Sequence, residues 1–304
     1  MAEICDVAIV GGGAAGLSAA ILLGRCRRHV VLFDTGTPRN QASRAVHGLL
    51  GHEGLAPSEL LAIARLELAR YETVTLSSDL VTDIARSGGG FSVTCESGSI
   101  FSARKSLLTT GLIDDVPCLE GIEPLYGRSV HHCPYCDGFE HRDQPLAVYG
   151  SGDEGAGLAL MMKQWSSDVL LLTDGQAPVS SGMAERLEQQ SIEICSEQIA
   201  RLEGTEDGAL KRIRLKSGRV KERTAMFFST GSRQRSNLSE TLGCRRDDKG
   251  GIVTDPVTEE SSVPGVYVAG DASRDVLLVA VAIAEGAKAG VAINRALLKE
   301  DGLG

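Results

Sequence analysis

Short aliphatic and β-branched runs alternate with polar, glycine-marked segments along most of this chain, and they do so in one recurring arrangement. Asp6-Val7-Ala8-Ile9-Val10 leads into Gly11-Gly12-Gly13-Ala14-Ala15-Gly16 and then into an Ala/Leu-rich helix ending near Gly24. A second strand, His29 to Phe33, stops at Asp34. Apolar residues at helical spacing predict a helix over Ser58 to Tyr71, with Pro57 at its start. Strands are expected at Thr73 to Leu76, Leu80 to Ile84, Phe91 to Cys95, Ser99 to Ala103 and Ser106 to Thr110, the last closed by Gly111, with a turn at Gly88-Gly89-Gly90. Between them, Thr37 to Pro57 carries Arg39, Asn40, His47, Gly48 and His52 and reads as a loop too polar and glycine-rich for a core, lining a cofactor.

The same unit returns roughly 140 residues on, which implies a second domain of the same kind. Leu146 to Tyr149 leads into Gly150-Ser151-Gly152-Asp153-Glu154-Gly155 and a helix through Gln164. Val169 to Leu172 follows, ending at Thr173-Asp174, then a helix near Met183 to Gln190 and strands near Ile192 to Cys195, Ile199 to Glu203, Ile213 to Leu215 and Met226 to Phe228. Near the end, Gly265-Val266-Tyr267-Val268-Ala269-Gly270-Asp271 is a buried strand closing in Gly-Asp, and the Ala-rich helix from about Leu278 to Leu298 has the small residues of tight helix packing.

Composition narrows the class. A length of 304 residues with 42% hydrophobic content accommodates two domains with sizeable cores. The net charge of -9 excludes a nucleic-acid partner, because a phosphate backbone would be repelled. Met1-Ala2-Glu3-Ile4 has no basic leader, and no apolar run approaches the roughly 18 residues of a membrane span, so a cytoplasmic, membrane-free enzyme is expected.

Each glycine of the first turn has a distinct use. Gly11 makes the turn, Gly13 lets the backbone approach a pyrophosphate, and Gly16 brings helix and strand close. Asp34 is placed to accept from a ribose 2′-hydroxyl. The other chemistry lies in Cys133-Pro134-Tyr135-Cys136-Asp137-Gly138. Two cysteines at this spacing can close a small disulfide ring, and a helix starting at the first would lower its thiolate pKa. The rival reading is half of a zinc site, but Cys5, Cys26, Cys95, Cys118, Cys195 and Cys244 form no second close pair, so no metal is expected. Asp137 can relay protons to the pair, or simply start a helix.

Gly11 to Gly16, Cys133 to Gly138, Gly150 to Gly155 and Gly265 to Asp271 together resemble the low-molecular-weight thioredoxin reductase family of flavoproteins, over nearly the whole chain. The resemblance implies an α/β fold of two Rossmann-like nucleotide-binding domains of three-layer ββα type, the second inserted in the first. FAD binding would fall to residues 1–113 and 241–304, and an NAD(P)-binding-like domain with the cysteine pair to residues 114–240. FAD would contact Gly11, Gly13, Ala14, Gly16, Asp34, Asn40, Gly111, Gly270 and Asp271. Cys136 would face the flavin, Cys133 would exchange with the substrate, and Asp137 would be the acid/base. A homodimer is implied in the same way.

Departures from the family pattern bear on the electron source. Leu172 is followed by Thr173-Asp174-Gly175-Gln176-Ala177-Pro178, with none of the arginines that clamp a 2′-phosphate. Asp174 would repel that phosphate yet could accept from an unphosphorylated ribose, so NADPH use is not expected and NADH stays open. Asp153 and Glu154 add negative charge where a pyrophosphate should sit. Leu277-Leu278-Val279 replaces an Arg-Gln-Ala run and makes the flavin edge more apolar. Cys-Pro-Tyr-Cys preceded by His131-His132 is similar to the family's dithiol oxidases of disulfide-bearing natural products, in which electrons pass from a small dithiol through the cysteines to FAD and oxygen. There His132 or His131 would be base to a substrate thiol, against the alternative of a structural histidine. The first reading is thus a nicotinamide-independent dithiol oxidase, the second an NAD(P)H-dependent disulfide reductase with a small disulfide or thioredoxin-like partner. A non-catalytic flavin redox sensor, the third, would not need Asp137.

Overall fold

A computed structural model describes residues 3–273 and 276–304; Met1 and Ala2 of the expected N-terminal segment lie outside them. The chain divides into two compact units, the first of Met1–Gln41, Leu49–Ile113 and Arg233–Gly304, the second of Ala42–Gly48 and Asp114–Ser232.

In the first unit β1 (Glu3–Val10), α1 (Ala14–Arg25), β2 (Val30–Phe33), α2 (Pro57–Leu68), β3 (Val74–Ser77), β4 (Val81–Ser87), β5 (Gly90–Cys95) and β6 (Ile100–Leu108) follow in order. The sheet runs β3-β2-β1-β6-β5-β4. Strand alternation sorts β1 between two layers. Val7 and Ile9 pack with Leu17, Ala20 and Leu23 of α1, whereas Ala8 and Val10 pack with Ile84, Phe91 and Val93 of the antiparallel β4–β5 hairpin.

β6 is one strand where the sequence predicts two. Its first half pairs antiparallel with β5 and its second half parallel with the late strand Val266–Val268, while β1 runs along its other edge. The charged residues that interrupt its apolar pattern are paired: Arg104 meets Asp6 at 3.0 Å and Asp301 at 2.7 Å, and Lys105 meets Glu300.

After β7 (Leu112–Asp114) come β8 (Val130–His131), α3 (Pro134–Asp137), β9 (Leu146–Tyr149), α4 (Gly152–Met162), β10 (Val169–Leu172), α5 (Ser181–Gln189), β11 (Glu193–Cys195), β12 (Ile199–Gly204), β13 (Leu210–Leu215), β14 (Val220–Glu222) and β15 (Ala225–Phe228). The second unit repeats the plan of the first. Its parallel sheet runs β11-β10-β9-β15-β8, and β12-β13-β14 form an antiparallel meander. Leu146 and Val148 pack with Ala156, Ala159 and Leu187 of the helices, and Ala147 and Tyr149 with Leu202 and Ile213 of the meander. The α/β class with two Rossmann-like units is therefore as the sequence implies.

β16 (Ser232–Gln234), α6 (Leu238–Thr241), β17 (Val266–Val268) and α7 (Val279–Glu300) complete the chain. The first unit resumes at Arg233 rather than at residue 241. The Gln234 side chain donates to the carbonyls of Gly250 and Ala272, the Arg235 N–H donates to the Gly111 carbonyl, and Leu238 is buried in the first core. A second correction concerns the Thr37 to Pro57 loop. Ala42–Gly48 belongs to the second unit and Val46 is buried, so the loop contributes to a core after all.

α7 lies against α1 through small residues. A Cβ on Gly286 would stand 2.1 Å from the Ala15 carbonyl oxygen, and one on Gly290 2.9 Å from Leu22. Gly286→Ala is therefore expected to destabilise the first unit by about 1–3 kcal/mol, read as a lower urea midpoint at unchanged slope. An unaltered midpoint would show that the two helices can separate at no cost.

Candidate active site

The first glycine turn is built where β1 ends. Gly11 has φ +112°, and a Cβ there would meet the Thr109 carbonyl oxygen at 2.2 Å; a Cβ on Gly16 would meet the Gly11 oxygen at 1.9 Å. Both positions therefore demand glycine, one for conformation and contact, the other for contact alone. Gly13 differs, with nothing within 4 Å of where a Cβ would be. α1 begins beside that open space at Ala14, with no side-chain cap and no acid in its first turn. Its first N–H groups have no intrahelical acceptors and present partial positive charge. Room and donors together fit a pyrophosphate.

The other predicted cofactor residues gather at the carboxyl ends of neighbouring parallel strands, the usual ligand edge of such sheets. Asp34 closes β2, and Gly111, with φ +68°, follows β6. Gly270, with φ +75°, and Asp271 follow β17; a Cβ on Gly270 would lie 3.0 Å from Ala15. Asp34 accepts from Arg65 at 2.7 Å and from the Gly36 N–H at 3.0 Å, so a ribose hydroxyl would share its oxygens. Asp271 is held by Arg39 at 2.8 Å, next to half-buried Asn40. Glu285, which the sequence does not single out, is buried and accepts the Gly270 N–H at 2.6 Å. The alanine pattern of α7 gave no sign of it.

The second glycine turn copies the first in packing: a Cβ on Gly155 would meet the Gly150 carbonyl carbon at 2.5 Å. Its mouth is different. The Gly152 N–H donates to the Ala177 carbonyl at 3.0 Å, and the Ser180 N–H donates to the Asp153 carboxylate at 2.9 Å. The segment after β10 thus folds back over the N-terminus of α4, whose first turn also carries Glu154. Asp174, read from sequence as a ribose acceptor, is turned inward instead. It accepts the Ile199 N–H at 2.6 Å and the Tyr149 hydroxyl at 3.3 Å, and Gln176 donates to that hydroxyl at 2.8 Å. Burial and then the Asp174 carboxylate push the Tyr149 phenol up, which keeps it protonated as a donor.

Also in the second unit, Cys133 and Cys136 form a disulfide with their Cα atoms 5.3 Å apart. Cys133 caps α3, its sulfur accepting the Cys136 N–H at 3.2 Å. That helix is only four residues long, so this local N–H, rather than a helix dipole, is what faces the sulfur. Asp137 lies one residue beyond, its Oδ1 3.3 Å from Nδ1 of buried His131. Nε2 of His131 is 3.1 Å from Nε2 of His141, and both rings pack on Phe227. Burial, and then the neighbouring His131, push His141 down to about 4. His132 is directed elsewhere: its Nδ1 is 3.8 Å from Oδ2 of Asp114, which also takes a hydrogen bond from the Tyr126 hydroxyl at 3.3 Å. The partner of Asp137 is thus His131, and Asp114 and His141 join the residues of interest. Sequence reading missed both, although His131, Asp137 and His141 share one short segment.

Residues 5–286 match the pyridine nucleotide-disulphide oxidoreductase family. The chain belongs to that family. A "Probable thioredoxin reductase" of Arthroderma benhamiae is 31% identical over 300 residues, spanning 89% of this chain and 74% of that protein. The thioredoxin reductase tcpT of Claviceps purpurea is 28% identical over 307 residues, 98% of this chain and 96% of its own. Among solved structures, HlmI is 34% identical with a TM-score of 0.93, covering 98% of this chain and 93% of its own. An oxidoreductase from Agrobacterium tumefaciens is 32% identical with a TM-score of 0.89, covering 98% and 99%. The chain is therefore a flavin disulfide oxidoreductase of thioredoxin reductase type, with FAD as the cofactor. No described helix is long and apolar enough to cross a membrane.

Proposed function

We propose that this enzyme oxidises a small dithiol to a disulfide and needs no nicotinamide. The observation that supports it is the contrast between two helix N-termini of the same design. Gly13 and Gly152 both have nothing within 4 Å of where a Cβ would be, but α1 starts without an acid, whereas α4 starts with Asp153 and Glu154 and has its Gly152 N–H taken by Ala177. The first suits a pyrophosphate; the second has a donor already spent on its own chain and two carboxylates beside it.

In this reading Gly11, Gly13, Ala14, Gly16, Asp34, Asn40, Gly111, Gly270 and Asp271 hold FAD. A substrate thiolate attacks Cys133 of the disulfide, forming a mixed disulfide and releasing the Cys136 thiolate. The second substrate thiol then attacks the substrate's own sulfur in that mixed disulfide, closing the product ring and freeing Cys133. Two electrons leave the substrate for the cysteine pair, and Asp137 takes and returns a thiol proton beside it. His132, oriented by Asp114, deprotonates the incoming thiol. Bound FAD supplies the acceptor for the two electrons when the pair closes again, and oxygen or another acceptor removes them.

A second reading is supported by the names of the relatives, thioredoxin reductases among them, and runs electrons from NAD(P)H to a disulfide or a thioredoxin-like protein. An oxygen electrode separates the two. Oxygen uptake on adding a small dithiol, with no nicotinamide present, is the expected result. Uptake or disulfide reduction only after NADPH is added would establish the second reading instead.

A further inference from the structure

We propose that His141 is a positioning residue: its Nε2–H donates to Nε2 of His131, which fixes the His131 proton on Nδ1 and so aims an N–H donor at the Asp137 carboxylate. This rests on the proposed acid/base role of Asp137.

A buried imidazole requires a partner for each of its two nitrogens. His131 is 4% exposed, on β8 in register with Phe227 of β15, so its two nitrogens must find partners within the protein. Nδ1 faces Asp137 Oδ1 at 3.3 Å and Nε2 faces His141 Nε2 at 3.1 Å. A neutral imidazole has one N–H and one lone pair. With the proton on Nε2, the Nδ1 lone pair would face a carboxylate, and two acceptors would oppose each other out of water. With the proton on Nδ1, that clash becomes a charge-assisted hydrogen bond. Nε2 then needs a donor, and the atom in place is Nε2 of His141. His141 is able to play that part because burial, above all, holds it neutral, with a pKa of about 4.

The fold supplies the geometry through consecutive local elements. β8 places His131, one turn of α3 places Asp137, and the turn closed by the His141 N–H on the Gly138 carbonyl at 3.3 Å brings His141 back to the sheet. The two imidazole centroids lie 5.1 Å apart, and each ring contacts Phe227, at 5.4 and 6.2 Å, which limits ring rotation. A third-residue orienter of this kind sets the tautomer of a buried histidine without touching the reacting atoms.

The test has two arms. In the holoenzyme labelled with ¹⁵N-histidine, long-range ¹H–¹⁵N correlations should show His131 protonated on Nδ1 only and His141 protonated on Nε2. A His131 protonated on Nε2, or on both nitrogens, overturns the proposal without reference to activity. The second arm follows opening of the Cys133–Cys136 disulfide by dithiothreitol, by rapid alkylation and mass spectrometry of the peptide bearing both cysteines. Asp137→Asn and His141→Phe should each slow opening by about tenfold or more, and His141→Gln, whose amide N–H can stand in for Nε2–H, should restore it to within about threefold. An unaffected Asp137→Asn sinks the role of Asp137 itself. A slow Asp137→Asn beside an unaffected His141→Phe, or a His141→Gln as slow as His141→Phe, sinks only the proposal for His141.

Discussion

Cys133→Ser and Cys136→Ser are each expected to lower dithiol turnover by at least about a thousandfold while the protein stays yellow. A single sulfur can be trapped as a mixed disulfide but cannot close the ring that carries two electrons onward. The substitutions are mild for the fold. Serine at 133 keeps an acceptor for the Cys136 N–H that now bonds the sulfur at 3.2 Å, so α3 retains its cap. The residues proposed to hold FAD all lie in the first unit, and both cysteines lie in the second. Turnover by oxygen uptake and FAD content by absorbance separate loss of chemistry from loss of cofactor. Full activity of Cys133→Ser with a dithiol would show that the relay is assigned wrongly.

NADPH is expected to show no saturable binding up to about 1 mM, a free energy no better than roughly -4 kcal/mol. Three features act against it at the α4 turn. The Gly152 N–H is already bonded to Ala177, and releasing it costs about 1 kcal/mol. Asp153 and Glu154 are solvent-exposed, so each opposes a nearby phosphate by only about 1 kcal/mol in high dielectric. Together these make about 3 kcal/mol, or roughly a hundredfold in affinity. Glu154→Ser should recover about fivefold at most, because the chain segment still covers the turn. Asp174→Arg should give no gain, since it removes the acceptor for the Ile199 N–H and lowers stability by about 1–3 kcal/mol. Fluorescence titration of the protein with NADPH reads all three. Micromolar binding by the unaltered chain would show that residues 177–180 move aside at little cost.

Much of the first unit is legible because its signals are local. The run Val7 to Val10, the spacing of Gly11, Gly13 and Gly16, and the helix that follows state strand, turn and helix within one short stretch, and the structure adds contacts that make Gly11 and Gly16 obligatory and leaves open space beside Gly13. Cys133 and Cys136 announce themselves by spacing, and they are bonded. What escaped is non-local. Nothing in Gln176 to Ser180 says that it folds over α4; this follows from Asp174, which takes the left-handed φ of +52° and bonds Ile199 and Tyr149. β8 has two residues, too few for any periodicity, yet it places His131. Arg104 and Lys105 break the apolar pattern of β6, and their partners Glu300 and Asp301 lie at the other end of the chain. Val46 was lost in a polar stretch because a single buried residue carries no pattern.

Nicotinamide-independent oxidation of a dithiol is tested most directly by anaerobic reduction of the bound flavin, followed by its visible absorbance in a stopped-flow mixer. Separate syringes hold dithiothreitol as the small dithiol, NADH and NADPH. The expected result is prompt, stoichiometric bleaching by the dithiol that disappears in Cys133→Ser and Cys136→Ser, with NADPH at least about a hundredfold slower. NADH should be slow as well, because Asp174 is occupied by Ile199 and Tyr149. Rapid stoichiometric bleaching by micromolar NADPH, with no response to the dithiol, would contradict the account and identify a nicotinamide-driven reductase.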